Sequence, residues 1–551
     1  MPTVHLLDYV AGNVRSLVNA IEALGWTVEW VKSPAEVANA DKLILPGVGH
    51  FGHCLTQFAE AGYTAPIKAH IASGKPFLGI CVGLQALFEG SDENPAVPGF
   101  GVIPGTLRRF DATDKSVPHI GWNSANAGGA DELYGLRPTS KYYYVHSYAV
   151  PYEAGALEEA GWRVARARYG KEEFVGAVAR GSVLATQFHP EKSGVAGLRL
   201  IKAFLEGRVE APLAEEWRVS DEKAEREEGL TRRVIACLDV RANDAGDLVV
   251  TKGDQYDVRE REGTAVGGQV RNLGKPVELA RRYYEQGADE VTFLNITSFR
   301  NCPVADLPMV EIVRRTAERV FVPLTVGGGI RDVVEPDGER VSALDIATLY
   351  FRNGADKVSI GSDAVDAAEA WFKRGERCVG DTAIETIAAA YGRQAVVVSV
   401  DPRRVYVASL GDTKHECVRA PTPGPNGEAW CWYQCTVKGG REGRDISAQE
   451  LVRAVEALGA GEVLLNCIDR DGSGHGFELE LVRAVKAACS IPVIASSGAG
   501  RPEHFSEVFR ETGADAALGA GMFHRGEWTV GEVKGVMHKE GLLVRGVENE
   551  I

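Results

Sequence analysis

At 551 residues the chain is too long for one ordinary domain and predicts two or three. Its 45% hydrophobic and 25% charged content are those of a globular protein whose halves can each bury a core. A net charge of −15 argues against nucleic acid as the main partner, because tracking a phosphate backbone needs a basic surface, whereas small anionic substrates need only a local positive pocket.

The chain starts on Val4-His5-Leu6-Leu7-Asp8, which reads as a buried strand and leaves no place for a signal peptide. No apolar run approaches the roughly 20 residues of a membrane span. Further strand-like runs, Lys42-Leu43-Ile44-Leu45-Pro46 and Pro76-Phe77-Leu78-Gly79-Ile80, each end in glycine-rich turns, so residues 1–206 read as one α/β domain. Its middle, roughly 101–190, is richer in aromatic and β-branched residues and predicts added strands. Residues 207–232, with Asp221-Glu222-Lys223-Ala224-Glu225-Arg226-Glu227-Glu228, read as a charged linker with almost no core of its own.

From 233 to 551 short apolar runs recur at Val234–Leu238, Val291–Leu294, Val322–Val326, Lys357–Ile360, Ala395–Val400, Val463–Cys467, Pro492–Ala495 and Ala516–Leu518. Amphipathic stretches such as Leu451–Leu458 separate them, and strands alternating with helices in this number predict a parallel (β/α)8 barrel. The barrel also echoes itself. Gly287-Ala288-Asp289-Glu290-Val291 returns as Gly459-Ala460-Gly461-Glu462-Val463, Val322–Gly329 returns as Ile491–Gly498, and Gly354-Ala355-Asp356 returns as Gly513-Ala514-Asp515, at spacings of about 160–170 residues. Two similar half-barrels follow, the second displaced by insertions at 365–385 and 403–445. The latter, containing Pro421-Thr422-Pro423-Gly424-Pro425, predicts a long surface loop. The ten cysteines are scattered without a CxxC pair, which suits reduced thiols, and no Cys or His cluster has metal spacing, so neither a metal nor a cofactor is expected.

Chemistry concentrates at two places. In the first domain, Gly79-Ile80-Cys81-Val82-Gly83 is a strand, a sharp turn and a helix start, the arrangement that lifts a nucleophile above a sheet; the helix start favours negative charge on the Cys81 sulfur. Downstream, Thr186-Gln187-Phe188-His189-Pro190-Glu191 delivers a histidine with a carboxylate two residues on, able to orient and charge the imidazole. Cys81, His189 and Glu191 thus read as a triad. Pro46-Gly47-Val48-Gly49 can aim backbone N–H groups at an oxyanion, although a plain tight turn reads the same way.

These residues resemble the class I (triad) glutamine amidotransferases, over the whole first domain. The resemblance implies a flavodoxin-like open sheet with added strands, L-glutamine as substrate, oxyanion amides from the loop ending in Gly49, and Gln85 holding the glutamine.

In the barrel, Ala236-Cys237-Leu238-Asp239-Val240 and Val398-Ser399-Val400-Asp401-Pro402 end strands 1 and 5 in carboxylates on opposite sides of one cavity, which suits a general acid and a general base. Either carboxylate taken alone could equally cap the turn that follows it. Gly327-Gly328-Gly329 and Ser496-Ser497-Gly498, each completed by Gly361-Ser362 or Gly519-Ala520-Gly521, present backbone N–H groups at equivalent places and imply a ligand with a phosphate at each end.

With Thr325-Val326-Gly327-Gly328-Gly329-Ile330, Asp356-Lys357-Val358-Ser359 and Ile468-Asp469-Arg470-Asp471-Gly472, the whole chain resembles the fused imidazole glycerol phosphate synthases of histidine biosynthesis. That implies a bisphosphorylated ribonucleotide substrate, a catalytic pair at Asp239 and Asp401, and a flexible-loop lysine at Lys252. It also implies further substrate contacts from Asn466, Asp471 and Gly472. Arg233, Glu290, Lys357 and Glu462 match a charged ring gating an ammonia channel at the strand starts, and Lys192 and Asp356 are expected to pair beside it. Asn295 and Asn466 depart from the Asp and Thr common in bacterial barrels. With both activities on one chain, a monomer is expected. The opening Met1-Pro2-Thr3 leaves no plastid leader, and a cytoplasmic enzyme of fungal type follows. A pyridoxal phosphate synthase would need Schiff-base lysines at strand ends, where this chain carries Asp239 and Asp401. A noncatalytic scaffold would not need an intact triad.

Overall fold

The computed structural model describes residues 1–7, 12–47, 49–128, 131–242, 248–251, 276–296, 308–334 and 338–549. The first half is built on a seven-stranded sheet ordered Arg163–Tyr169, Glu172–Arg180, Val183–Thr186, Phe77–Ile80, Leu43–Leu45, Thr3–Leu7 and Thr27–Val31. The last five are parallel, and the first two are antiparallel additions from the aromatic-rich middle segment. Leu43–Leu45 and Phe77–Ile80 are buried at every residue, as central strands covered on both faces must be.

In the second half eight parallel strands close on themselves: Arg233–Ala242, Glu290–Asn295, Leu324–Gly327, Lys357–Ile360, Val396–Val400, Glu462–Asn466, Val493–Ser496 and Ala516–Gly519, with the first paired to both the second and the last. They are barrel strands 1 to 8 below. Side chains alternate as the pleat requires. Ile235 and Cys237 join Val397, Leu464, Ile494 and Leu518 in the barrel interior, while Val234, Ala236 and Leu238 join the core shared with the surrounding helices.

The echo has a structural meaning. Gly287, Gly354, Gly459 and Gly513 all adopt left-handed backbone, with φ of 96°, 111°, 109° and 72°, where the chain turns from a helix into the next strand. In three of the four copies the aspartate two residues on reaches back to the preceding strand. Asp289 accepts from Val234 N at 2.9 Å, Asp356 from Leu324 N at 2.8 Å and Asp515 from Val493 N at 2.8 Å.

The 403–445 insertion is not the surface loop that its proline-rich run predicts. It folds into a four-stranded antiparallel sheet of Pro402–Val407, Val418–Arg419, Trp430–Val437 and Glu442–Ser447. Trp430–Val437 is aromatic and β-branched; its Cys431, Tyr433 and Cys435 are buried, and Trp432 stacks on His415 at 4.0 Å. The prolines occupy only the turn leading into that strand. The 365–385 insertion begins inside the helix Ser362–Lys373 and ends inside the helix Ala383–Tyr391.

The 207–232 segment is packed rather than free. Its Glu210–Pro212 pairs with Asp131–Leu133, Leu213 is buried, and the Trp217 ring lies 4.3 Å from the Arg137 guanidinium. The two halves meet at the N-terminal ends of the barrel strands. Trp122 Nε1 donates to Asp289 O at 3.0 Å, Ser116 Oγ to Asp515 Oδ1 at 2.9 Å, Gly194 N to Phe321 O at 2.9 Å and Asn13 Nδ2 to Asp356 Oδ1 at 2.8 Å. The C-terminal segment straps the seam: Arg545 lies over the Trp122 ring at 4.1 Å, and Glu548 pairs with Arg199 at 2.8 Å.

Candidate active sites

Cys81 follows the strand Phe77–Ile80 with φ 50° and ψ −104°, a conformation that costs free energy for any residue with a side chain. Close backbone packing supports it. A Cβ at Gly79 would lie 2.6 Å from Gly83 O, and one at Gly83 2.3 Å from Leu45 O, so only glycines let the strand ends and the helix start approach this closely. Cys81 N donates to Thr186 O at 2.7 Å, tying the elbow to the strand that leads to the histidine.

His189 Nδ1 lies 2.7 Å from Glu191 Oε1, and both residues are buried. Burial disfavours the imidazolium, but Glu191 and then Cys81 outweigh it and hold the His189 pKa well above the ordinary histidine value. Nδ1 therefore donates to the carboxylate, leaving Nε2 on the Cys81 side. Gln187, inside the same sequence run, donates from Nε2 to Cys81 Sγ at 3.5 Å, and Gln85 Nε2 reaches Gln187 Oε1 at 3.3 Å. A cavity of about 530 Å³ opens over Cys81, lined by Gly49, Gln85, Glu93 and Tyr148 and, from the barrel, by Arg393 and Gln394. Gly49 has φ 116°; its neighbour Val48 lies outside the described residues.

Behind His189 and Glu191 a smaller cavity, about 40 Å³, is lined also by Tyr143, Lys192, Asp356 and Lys357. It joins the triad to the barrel floor. There Arg233, Glu290, Lys357 and Glu462, each the first residue of strand 1, 2, 4 or 6, form a closed ring with no side chain more than 1% exposed. Arg233 lies 3.1 Å from Glu290 and also bonds Glu462; Lys357 lies 2.8 Å from Glu290 and 2.6 Å from Glu462. Burial opposes the Glu462 charge, but Arg233 and Lys357 prevail and lower its pKa. Beside the ring, Lys192 Nζ lies 2.7 Å from Asp356 Oδ2, with the lysine buried.

At the other end of the barrel, Asp239 and Asp401 sit at the ends of strands 1 and 5. Burial, and then the neighbouring Asp471, push the Asp239 carboxyl up to about 7. Burial also raises Asp401, opposed by hydrogen bonds from Asn466 and Ser399. Asn466 Nδ2 donates to Asp401 Oδ1 at 2.7 Å and to Ser399 Oγ at 3.1 Å, so the departure at this position still orients the carboxylate. Gly328, Gly329 and Gly498 take φ of 91°, 79° and 97°, and Ser497 takes 72°. Left-handed residues in succession turn backbone N–H groups into a concavity suited to an anion. A Cβ at Gly328 would lie 2.3 Å from Asn295 O, and one at Gly498 2.2 Å from Gly476 O. Gly361 precedes the helix Ser362–Lys373 after strand 4, the neighbour of strand 3, and Ala520 precedes the helix Gly521–His524 after strand 8, the neighbour of strand 7. Gly472, with φ 68°, turns the chain just after Asp471. Lys252 lies outside the described residues. Among the described residues no group of His, Cys, Asp and Glu could hold a metal ion.

Sequence reasoning missed Gln187, Asn13, Asp289, Asp515 and Arg393. Asp289 and Asp515 had a signal, because they repeat Asp356 in the Gly-Ala-Asp echo. Arg393 had none, since only docking of the two halves brings it to the Cys81 cavity.

Comparison with known proteins agrees across the chain. The Glutamine amidotransferase class-I family matches residues 5–206, and the Histidine biosynthesis protein family matches 233–529. The chain is 66% identical to imidazole glycerol phosphate synthase hisHF of Emericella nidulans, with 100% of each covered. It is 58% identical to the protein of that name from Schizosaccharomyces pombe, covering 98% of this chain and 99% of the relative. Against the chloroplastic hisHF of Arabidopsis thaliana it is 52% identical, covering 98% and 89%.

Proposed function

Because the chain belongs to the fused imidazole glycerol phosphate synthase family, an enzyme of histidine biosynthesis with a glutamine amidotransferase and a cyclase on one chain, we propose how its residues divide the work. Residues 1–206 form the amidotransferase unit, 207–232 the connector and 233–551 the cyclase unit.

Cys81 attacks the side-chain amide of L-glutamine to form a glutamyl thioester while His189 moves the proton to the leaving ammonia. Water then cleaves the thioester, releasing glutamate and restoring the thiol, and Glu191 holds the imidazole in place and supports its charge. Gly49 contributes to the oxyanion site and Gln85 to glutamine binding. Ammonia leaves past His189 through the small cavity and the Arg233–Glu290–Lys357–Glu462 ring, which must open to pass it. In the barrel it meets a phosphoribulosyl-formimino-aminoimidazole carboxamide ribonucleotide held at one phosphate by Gly328, Gly329, Gly361 and Ser362. Ser497, Gly498, Ala520 and Gly521 hold the other phosphate. Lys252, Asp471 and Gly472 complete the substrate contacts. Asp239, with its carboxyl near 7, and Asp401, steadied by Asn466, serve as the acid–base pair that yields imidazole glycerol phosphate and aminoimidazole carboxamide ribonucleotide.

The observation that supports this reading is that His189 and Glu191 of the first site and Lys357 of the barrel-floor ring line one small cavity. One chain contains both sites, so a monomer suffices. The nine described cysteines are free, which suits a reducing cytoplasm, and no described helix is long and apolar enough to cross a membrane. Turnover of the bisphosphorylated ribonucleotide with glutamine, and separately with an ammonium salt, tests the assignment: both should yield the two products, and only the glutamine reaction should yield glutamate.

A further inference from the structure

The larger insertion grows out of a catalytic strand. Strand 5 ends beside Asp401, and the next residue opens the insertion strand Pro402–Val407. Trp430–Val437 runs antiparallel to it, with Arg404 directly opposite Tyr433. Both side chains converge on one carboxylate outside the insertion, Glu478, whose side chain is only 1% exposed. Arg404 grips it twice, Nε to Oε1 and Nη2 to Oε2, each at 2.7 Å. The Tyr433 hydroxyl donates to Oε1 at 2.8 Å, and Arg470 Nε donates to Oε2 at 2.7 Å. Each carboxylate oxygen therefore takes two donors. Burial opposes the Glu478 charge, but the bonds from Arg404 and then Arg470 outweigh it and lower its pKa. Glu478 stands at the start of the helix Leu479–Ala488, yet its side chain makes no capping bond there and is committed to the arginines.

The segment that Glu478 closes, 467–478 after strand 6, carries Asp471. It is tied to the insertion strand again near its start. Ile468 N donates to Pro402 O at 3.1 Å, and Asp469 Oδ2 accepts from Arg404 N at 2.8 Å. The two residues before Asp471 are thus anchored to Arg404, one directly and one through Glu478. The same segment packs on the Gly498 turn: Gly476 N donates to Gly498 O at 2.8 Å, and a Cβ at Gly498 would lie 3.2 Å from the Arg470 Cβ. Asp471 in turn acts on Asp239, as the cause second to burial of its raised pKa.

We propose that Glu478, gripped by Arg404 and Tyr433 of the insertion sheet, is a positioning residue of the cyclase: it fixes the segment after strand 6 and so holds Asp471 toward Asp239. The insertion is then a brace for the catalytic end of the barrel. A buried carboxylate with all its acceptor positions filled sets one geometry for the chain around it, and a small displacement of a reacting group costs rate steeply. This rests on the assignment of Asp239 to acid–base work. Glu478 acts through Arg470 and Asp471 and touches no substrate.

The test follows ammonium-dependent cyclisation by the full-length enzyme, per free ammonia, across the pH limb of Asp239, beside thermal melts. Glu478→Gln leaves Arg404 and Arg470 without their anion. Its kcat should fall about 10- to 100-fold, the scale of a small misplacement, with a lesser change in ribonucleotide KM. The limb near pH 7 should also move lower as Asp471 withdraws from Asp239. Tyr433→Phe removes one of the four donors and should move both readouts the same way by less. In an Asp471→Asn background neither substitution should move the limb further. A lower Tm with kcat and limb at their parent values would overturn the proposal by leaving the network a structural role alone. A limb that moves as far with Asn at 471 as without it would also overturn it, because the effect would not pass through Asp471. Should Glu478→Gln fail to fold, Tyr433→Phe carries the same comparison. A parent enzyme with no limb near pH 7 would remove the Asp239 assignment, and this proposal with it.

Discussion

Asp356 and Asp515 do the same work in the two halves of the barrel: each accepts a hydrogen bond at 2.8 Å from the backbone N–H opening the strand before it, and each also binds the other domain. Asp356 pairs with Lys192 at 2.7 Å, whereas Asp515 pairs with Lys486 at 2.7 Å and takes Ser116 Oγ at 2.9 Å. The repeat that builds the barrel therefore also builds the seam.

Lys192 lies in the first domain, next to Glu191, and its ion pair crosses the seam, whereas Lys486 lies in the barrel and its ion pair with Asp515 stays within it. Lys192→Met should weaken the stimulation of glutaminase by bound ribonucleotide by about 2- to 30-fold, the usual span for a residue on a coupling route. Lys486→Met should lower stability with little change in stimulation. Steady-state glutaminase rates with and without ribonucleotide, beside thermal melts, separate the two; equal stimulation in both variants would deny Lys192 a coupling role.

Cys81→Ala should abolish glutamine-dependent turnover and leave ammonium-dependent cyclisation largely intact, because only the first site needs a thiol nucleophile. Parallel assays with the two nitrogen sources check this. Equal loss of both activities in a folded variant would contradict the division of labour.

Asp239 gives a pH signature. Its carboxyl is pushed up to about 7 by burial and by Asp471. Cyclisation expressed per free ammonia should show a limb near that pH, and Asp471→Asn should move the limb lower by removing the second cause. Asp239→Asn should slow cyclisation roughly 10²–10⁴-fold. The sign for stability also follows. Between about pH 4 and 7 the folded chain keeps a proton that the unfolded chain has lost, so stability falls as pH rises through that window. Asp239→Asn should accordingly raise Tm more at pH 8 than at pH 5. No difference between the two pH values would mean that the carboxyl titrates normally.

The anion sites are best tested beside the glycines rather than at them. Any side chain at Gly328 would meet Asn295 O at 2.3 Å, so a substitution there disturbs the turn as well as the charge. Ser362→Asp instead places a carboxylate at the start of the helix Ser362–Lys373, where an acidic residue favours the helix but repels a phosphate. The ribonucleotide KM should rise about tenfold or more with Tm nearly unchanged, and inorganic phosphate should compete less well. An unchanged KM would remove this site.

Much of this was legible in the sequence where the chemistry is written in one stretch. The elbow around Cys81 and the His189-Pro190-Glu191 run each lie on a single strand end, and the barrel strands stand out as apolar runs between amphipathic helices. The ring charges were legible because each opens a strand. What escaped was set by packing between distant segments. Proline-rich 421–425 suggested a loop, yet Trp430–Val437 beside it buries six of its eight residues, on both faces, and draws the insertion into a sheet. The charged 207–232 segment looked free, but Trp217 has Arg137 to stack on. Gln187 lies within the histidine run, but nothing in its spacing shows that it faces the sulfur.

Ammonia made at Cys81 should reach the barrel without entering solvent. Turnover with glutamine labelled with nitrogen-15 in the amide, in the presence of a large excess of unlabelled ammonium salt, measures this directly at pH 7, where free ammonia is the minor species. Nearly all imidazole glycerol phosphate should carry the label, and a variant that breaks the seam, such as Lys192→Met, should dilute it. Label falling in the parent enzyme to the fraction expected from mixing with the external ammonia pool would contradict the account.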